Sequence, residues 1–259
     1  MNSVNKTLYI PLYGKSYVSK RGLFLRDEMA EKIWSAEGFP LKGKSASKWL
    51  AFYMGIRAAV FDEWVAWQLA SAPEAVVLHI GCGLDSRGTR VGTGGQMWYD
   101  VDFPQVIAER KRYFSESDGY RMIAADVRED GWLEKITEDG TAIVVMEGVS
   151  MYLTPTELQS LMKKLSRHFS RVLCLMDCYS GLAATLSRYK NPINDVGVTR
   201  VYGLDEPEAL EGCTFVREHE MTPGQYIEEL GGAEKFIFKN LYAGGFSRKL
   251  YRLYEFRKG

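Results

Sequence analysis

Val76-Val77-Leu78-His79-Ile80-Gly81-Cys82-Gly83-Leu84-Asp85-Ser86-Arg87 passes from a short apolar run into Gly-x-Gly. A nearly continuous apolar run of that length is what a parallel strand covered on both faces requires. Gly81 and Gly83 would let the backbone turn tightly and come close to a ligand. Many strand-to-helix turns carry Gly-x-Gly, so the weight comes from the acids downstream of it. The next strand candidate, Met97–Val101, runs into Asp100 and Asp102, about 20 residues after the glycines, where an acid can accept hydrogen bonds from ribose hydroxyls. Asp126 comes after the candidate Met122–Ala125, and Glu147 after Ala142–Met146. In open α/β sheets ligands bind outside the carboxyl ends of the strands. Four consecutive strands thus deliver a glycine or an acid to one edge.

Outward from this core, a fifth apolar run, Val172–Met176, leads to Asp177 and Tyr179. Helical segments separate the strands: Phe103–Phe114, the short Asp130–Ile136, and Thr154–Phe169. The last opens with a capping threonine, Pro155 at the first helical position and Glu157 to complete a capping box. Alternating strand and helix predicts an α/β fold, a mostly parallel sheet with helices on both faces. Residues 1–72 read as a helical cover on an α/β core of residues 73–259, the whole forming a single domain. Within the cover, Arg21–Trp34 has helical spacing. A second helix begins near Ser45 or Ser47 and ends at Pro73, with Trp49, Phe52, Tyr53, Ile56, Val60 and Trp64 on one stripe that reads as core packing. In the tail, Cys213–Glu220 and Lys249–Phe256 read as strands, and Thr222–Leu230 and Ala233–Tyr242 as helices broken by glycines. Asn191–Gly203 reads as a surface loop that, with Arg200 and Tyr202, is a candidate lid.

Composition excludes several classes. Among 259 residues, 33 basic side chains balance 33 acidic ones, with no basic stripe of the kind that nucleic acid or a membrane surface would call for. Four scattered cysteines make no disulfide framework and no zinc spacing, which fits reduced thiols and a cytoplasmic protein. No signal peptide, membrane-length apolar run or metal-ligand cluster is expected.

The turn also discriminates among nucleotides. A dinucleotide fingerprint needs a third glycine and a place for pyrophosphate at the helix N-terminus. Ser86 stands at that glycine position, and Asp85 puts a negative charge where pyrophosphate would lie. A P-loop is excluded because Gly-Lys-Ser/Thr is absent. A ligand with ribose, adenine and a positive centre but no phosphate fits better, and S-adenosylmethionine is one.

Several motifs then coincide. Gly81-Cys82-Gly83-Leu84-Asp85-Ser86-Arg87 resembles the "GxGLDxR" turn of the leucine carboxyl methyltransferase family, which includes polyketide O-methyltransferases of the tetracenomycin type. Trp98-Tyr99-Asp100-Val101-Asp102-Phe103-Pro104 resembles its second-strand signature, and Ala125-Asp126-Val127-Arg128 its third. Met146-Glu147-Gly148-Val149-Ser150-Met151-Tyr152-Leu153 resembles "EGVxMYL", and Arg57 to Asp62 resembles "RxxxFD". The resemblance spans about Lys20 to Asp177 and thins after Tyr179. It implies a class I methyltransferase (Rossmann-like) sheet. It also implies roles: Arg57 on the cofactor carboxylate, Gly81 beside the methionine portion, and Asp102 on the ribose. Asp126 and Val127 would flank adenine, Glu147 would face the amino group or sulfonium, and Asp85 and Arg87 would order the turn.

The implied activity is S-adenosylmethionine-dependent O-methylation of a small-molecule carboxylate or hydroxyl. A carboxylate acceptor needs no general base, whereas a hydroxyl is helped by one. Tyr152, Asp177 and Tyr179 are the candidates for acceptor contact. They come before His79, read as packed in the core, His168 at a helix end, and His219 at the surface. Two other readings remain: a cofactor-binding sensor or scaffold without catalysis, and an NAD(P)-dependent oxidoreductase, against which Asp85 and Ser86 argue.

Overall fold

In the computed structural model, which describes residues 8–39, 41–187 and 200–259, seven strands form one sheet. They are β1 (Val76–Ile80), β2 (Trp98–Asp102), β3 (Tyr120–Ala124), β4 (Thr141–Met146), β5 (Arg171–Tyr179), β6 (Thr214–His219) and β7 (Tyr251–Lys258), in the spatial order β3-β2-β1-β4-β5-β7-β6. The first five are parallel, and β7 runs antiparallel between β5 and β6. The register sets Ile80 beside Val101, His79 beside Val145, and Met146 beside Met176. Continuing each pairing past its strand end brings Gly81, Asp102, Glu147 and Asp177 to one edge. This is the mostly parallel α/β sheet that the alternation of strands and helices predicts.

Strand β4 shows why the apolar runs are continuous. Ala142, Val144 and Met146 pack on one face with Leu158, Leu161, Met162 and Leu165 of a helix at Pro155–His168. Ile143 and Val145 pack on the other face with Phe52, Ile56, Phe61 and Val65 of a helix at Lys48–Ser71. Neither face meets water, so no polar alternation is tolerated.

The helices are α1 (Tyr9–Lys20), α2 (Glu28–Glu37), α3 (Lys48–Ser71), α4 (Arg87–Val91), α5 (Pro104–Arg110), α6 (Pro155–His168), α7 (Gly181–Ser187), α8 (Gly224–Glu228), α9 (Gly232–Ile237) and α10 (Gly245–Leu250). The Thr154 hydroxyl accepts from Glu157 N–H at 3.2 Å and the Glu157 carboxylate from Thr154 N–H at 2.7 Å, so α6 carries the expected capping box. Ser47 caps α3. Of its apolar stripe, Phe52, Ile56, Val60 and Trp64 are buried in the core.

The cover differs from its sequence reading. The helix expected over Arg21–Trp34 begins at Glu28, where Asp27 accepts from Ala30 N–H at 2.8 Å, and a turn at Gly22 (φ +66°) precedes it. A further helix, α1, lies upstream and crosses α3 closely. A Cβ on Gly55 would come within 2.7 Å of Val18, and one on Gly14 within 2.6 Å of the Met54 Cβ. The segment Asp130–Ile136 keeps only a short tight turn, Leu133–Lys135, after Gly131 at φ +85°. Phe103–Phe114 shortens to α5, and Ala233–Tyr242 divides into α9 and a wide π-helical turn, Phe238–Tyr242. Among the described residues no helix is long and apolar enough to cross a membrane. Cys82, Cys174, Cys178 and Cys213 are all buried and unbridged.

Candidate functional site

A cavity of about 240 Å³ opens at the carboxyl edge of β1 and β4. Its wall includes Arg57, Gly81, Gly83, Glu147, Tyr152 and Tyr179, six of the ten residues singled out from sequence. Leu8 and, from α1, Ile10, Pro11, Leu12 and Lys15 form another part of the wall, and α3 adds Leu50, Tyr53 and Met54. The glycine turn takes its shape from packing before any ligand is considered. Gly81 has φ +67°, and a Cβ there would lie 2.2 Å from Val149 Cγ2. Gly83 has φ +52° and sits under Leu8.

Buried charge surrounds the turn. The Arg57 Nε donates to Glu147 at 2.9 Å, and its Nη1 reaches Asp177 at 3.0 Å and the Tyr251 oxygen at 2.7 Å. Glu147 also accepts from Arg87. Burial alone would push the Glu147 carboxyl up, but the Arg57 and Arg87 guanidinium groups overcome it and hold the group at about 2. Asp62 partners Arg87 at 2.7 Å and Arg90 at 2.5 Å. Asp85 is bound by Lys15 at 2.9 Å, Arg90 at 3.0 Å and Arg87 at 3.3 Å. Burial disfavours its charge, and these three cations reverse that and hold its carboxyl well below the usual range. Asp85 and Arg87 thus join the segment after the glycine turn to α1, to α3 and to the end of β4 through buried ion pairs.

Four of the ten residues lie off this cavity. Asp102 accepts from Gly83 N–H at 2.8 Å and Phe103 N–H at 2.7 Å, tying the turn to β2. Burial raises its carboxyl despite those two donors. Asp126 is held by Arg128, through Nε at 2.9 Å, and the neighbouring Val127 packs against the core. Asp177 is 0% exposed and lies behind the wall, taking Gly148 N–H at 2.7 Å as well as Arg57 and Tyr251. That geometry replaces direct acceptor contact with a supporting place. Asp100, the other acid of β2, is buried against Arg110, His79 and the Trp98 indole.

His79 is buried as expected but also forms part of the wall, with Nδ1 3.3 Å from Asp100 and Nε2 3.9 Å from Asp85. His219 is not a loose surface group, since its Nε2 lies 2.6 Å from the buried Glu255. Most of the candidate lid Asn191–Gly203 lies outside the described residues. Of its named side chains, the Arg200 guanidinium lies 5.3 Å from the Tyr202 ring centroid, and Tyr202 N–H donates to Met151 O at 2.8 Å. Sequence reasoning missed Lys15 and Tyr251, which no local pattern marks because each meets its partners only across the folded chain, and it read Tyr53 as core packing where the structure puts it in the cavity wall.

Comparison with solved structures places this fold. A protein from Thermobifida fusca YX assigned as a methyltransferase superposes with a TM-score of 0.57 at 13% identity, covering 95% of this chain and 94% of the other. Magnesium protoporphyrin IX methyltransferase from Synechocystis PCC 6803, with bound S-adenosylhomocysteine, gives 0.50 at 13% identity over 90% and 94%. At such identities the likeness shows the fold alone, that of the class I methyltransferases. The chain itself belongs to the leucine carboxyl methyltransferase family, whose profile matches residues 11–166. It is 33% identical over 186 residues to the tetracenomycin polyketide synthesis O-methyltransferase TcmP of Streptomyces glaucescens, covering 70% of this chain and 69% of that one. It is 28% identical over 183 residues to the S-adenosyl-L-methionine-dependent methyltransferase dpfgK of Gibberella zeae, covering 65% and 61%. The protein is an S-adenosylmethionine-dependent methyltransferase.

Proposed function

We propose that the protein methylates an oxygen of a small molecule, and that a carboxylate is its preferred acceptor. S-adenosylmethionine supplies an activated methyl group on a sulfonium sulfur. The residues fit that group. Arg57 and Glu147 set a cation and an anion side by side at one end of the cavity, matching the carboxylate and ammonium of an amino acid. Among the contacts of the described residues, the Arg57 Nη2 is not taken up by Glu147, Asp177 or Tyr251, which suits it to a ligand carboxylate. Asp102 and the glycine turn would serve the ribose, and Asp126 and Val127 the adenine. Tyr152 and Tyr179 would face the acceptor, with Asp177 acting behind them.

The observation that carries the choice of carboxylate is that Glu147, Asp85, Tyr53, Tyr251 and His79, five titratable groups of the wall, are each held away from the role of a base. Glu147 is held at about 2, by guanidinium groups that overcome its burial, and Asp85 is held well below its usual range. Burial pushes the Tyr53 and Tyr251 phenols upward. The two ring nitrogens of His79 face Asp100 and Asp85. A nucleophile that arrives already ionised needs none of these groups. The name of the Streptomyces glaucescens relative supports transfer to oxygen.

Incubation with methyl-labelled S-adenosylmethionine and a panel of aromatic acids, phenols and amines tests this reading. A labelled product hydrolysed by mild alkali is expected, since methyl esters are labile and ethers are not. An alkali-stable ether would overturn the preference for carboxylate, and a labelled amine would overturn O-methylation itself.

A further inference from the structure

Arg57 reaches the cavity from α3, yet part of what holds its guanidinium comes from the far end of the chain. Tyr251 opens β7 opposite Tyr179 of β5, 194 residues from Arg57. Its oxygen accepts from Arg57 Nη1 at 2.7 Å, and its O–H donates to Asp177 Oδ2, the oxygen that Arg57 Nη1 reaches at 3.0 Å. Guanidinium, phenol and carboxylate thus close a three-membered ring of contacts at the cavity wall. The ring of Tyr251 is itself confined. Tyr53 stacks on it at 6.1 Å and 20°, Tyr179 meets it edge-on at 4.9 Å, and the Arg57 guanidinium carbon lies 5.9 Å from its centroid. A phenol confined in this way can satisfy its lone pair and its proton together in one orientation. Burial pushes the phenol up, so it keeps the proton that it gives to Asp177.

We propose that Tyr251 is a positioning residue: by bridging Arg57 and Asp177 it aims the guanidinium at the carboxylate of the methyl donor's amino-acid end. This rests on the proposed role of Arg57 in taking that carboxylate. Tyr251 acts on ligand affinity through Arg57, because the three groups form one hydrogen-bonded unit.

The test titrates the full chain with S-adenosylhomocysteine and with 5′-methylthioadenosine, which keeps the nucleoside and sulfur but lacks the amino-acid end. Tyr251→Phe keeps the ring contacts and deletes the hydroxyl. It should weaken S-adenosylhomocysteine by about ten-fold, the size expected for one hydrogen bond to a charged group, and leave 5′-methylthioadenosine within about two-fold. In an Arg57→Lys background the same change should add nothing further, because both act on one contact. Asp177→Asn loosens the phenol from its other side. It should show the same ligand selectivity even if Tyr251→Phe does not melt cooperatively. Equal weakening of both ligands, no weakening of either, or full additivity with Arg57→Lys would each overturn the proposal. A wild-type protein that binds neither ligand would instead overturn the reading of the cofactor site.

Discussion

Gly81 meets two constraints that no other residue type satisfies together. Its φ of +67° lies in the left-handed region, and the place of its Cβ is filled by Val149. Gly81→Ala should cost about 1–3 kcal/mol from overpacking, with about 1 kcal/mol more from the backbone, read as a lower urea midpoint at unchanged slope. The buried carboxylates make a second residue-scale prediction. Glu147 and Asp100 are each held at about 2, because guanidinium partners overcome the upward push of burial. A carboxyl depressed in the folded state takes up its proton in the unfolded chain first, so its contribution is complete above the unfolded value. It is lost as pH falls toward the folded one. Asp177 and Asp102 run the other way, since burial raises both and the folded state binds their protons first. The contributions of Glu147 and Asp100 should therefore be full down to about pH 4.5 and fall steeply between about 4.5 and 2, as denaturant midpoints across that range would show.

At the scale of elements, α6 owes its start to a local device and α1 its place to a tertiary one. Thr154→Ala removes the hydroxyl that takes Glu157 N–H and should cost about 1 kcal/mol, seen as a lower urea midpoint with ligand affinity unchanged. α1 forms one wall of the cavity and is tied to the glycine turn by Lys15 and Asp85 at 2.9 Å. The cavity volume lies a little below the roughly 300–1,000 Å³ of small-molecule sites, and α1 supplies much of its wall. Lys15→Met leaves Asp85 with Arg87 and Arg90, so the turn should hold while the cover loosens. Hydrogen exchange should quicken in residues 9–20 and stay unchanged in β1 and β4. Equal quickening in the strands would show that α1 is an inseparable part of the core.

For the whole molecule, a ligand that binds only the folded state stabilises it by mass action, by about 2.7 kcal/mol at a hundred times its dissociation constant. In a chain of 259 residues this should raise the melting temperature by about 5–10 °C with S-adenosylhomocysteine and leave it unmoved by NADH. A comparable rise with NADH would contradict the expectation, drawn from Asp85 and Ser86, that the turn takes no pyrophosphate.

The order of strands and helices, the edge they share and the cap of α6 were legible in the chain because each is written in neighbouring residues. An apolar run, a glycine pair or Thr154 with Glu157 means the same thing wherever it folds. The same locality marked Gly81, Gly83 and Glu147, which the register of a parallel sheet then sets side by side. Helix α1, with its buried Lys15, escaped notice because it owes its position to Val18 and Gly14 packing on α3, not to a periodic face of its own. Tyr251 escaped because its partners, Arg57 and Asp177, lie 194 and 74 residues away. Asp177 stood correctly at the edge in sequence, yet only the packed structure shows it turned behind the wall with every oxygen engaged. Local pattern specifies which backbone ends where. Which side chain faces the cavity and which one braces it depends on contacts between distant segments, and those exist only after the sheet has closed around them.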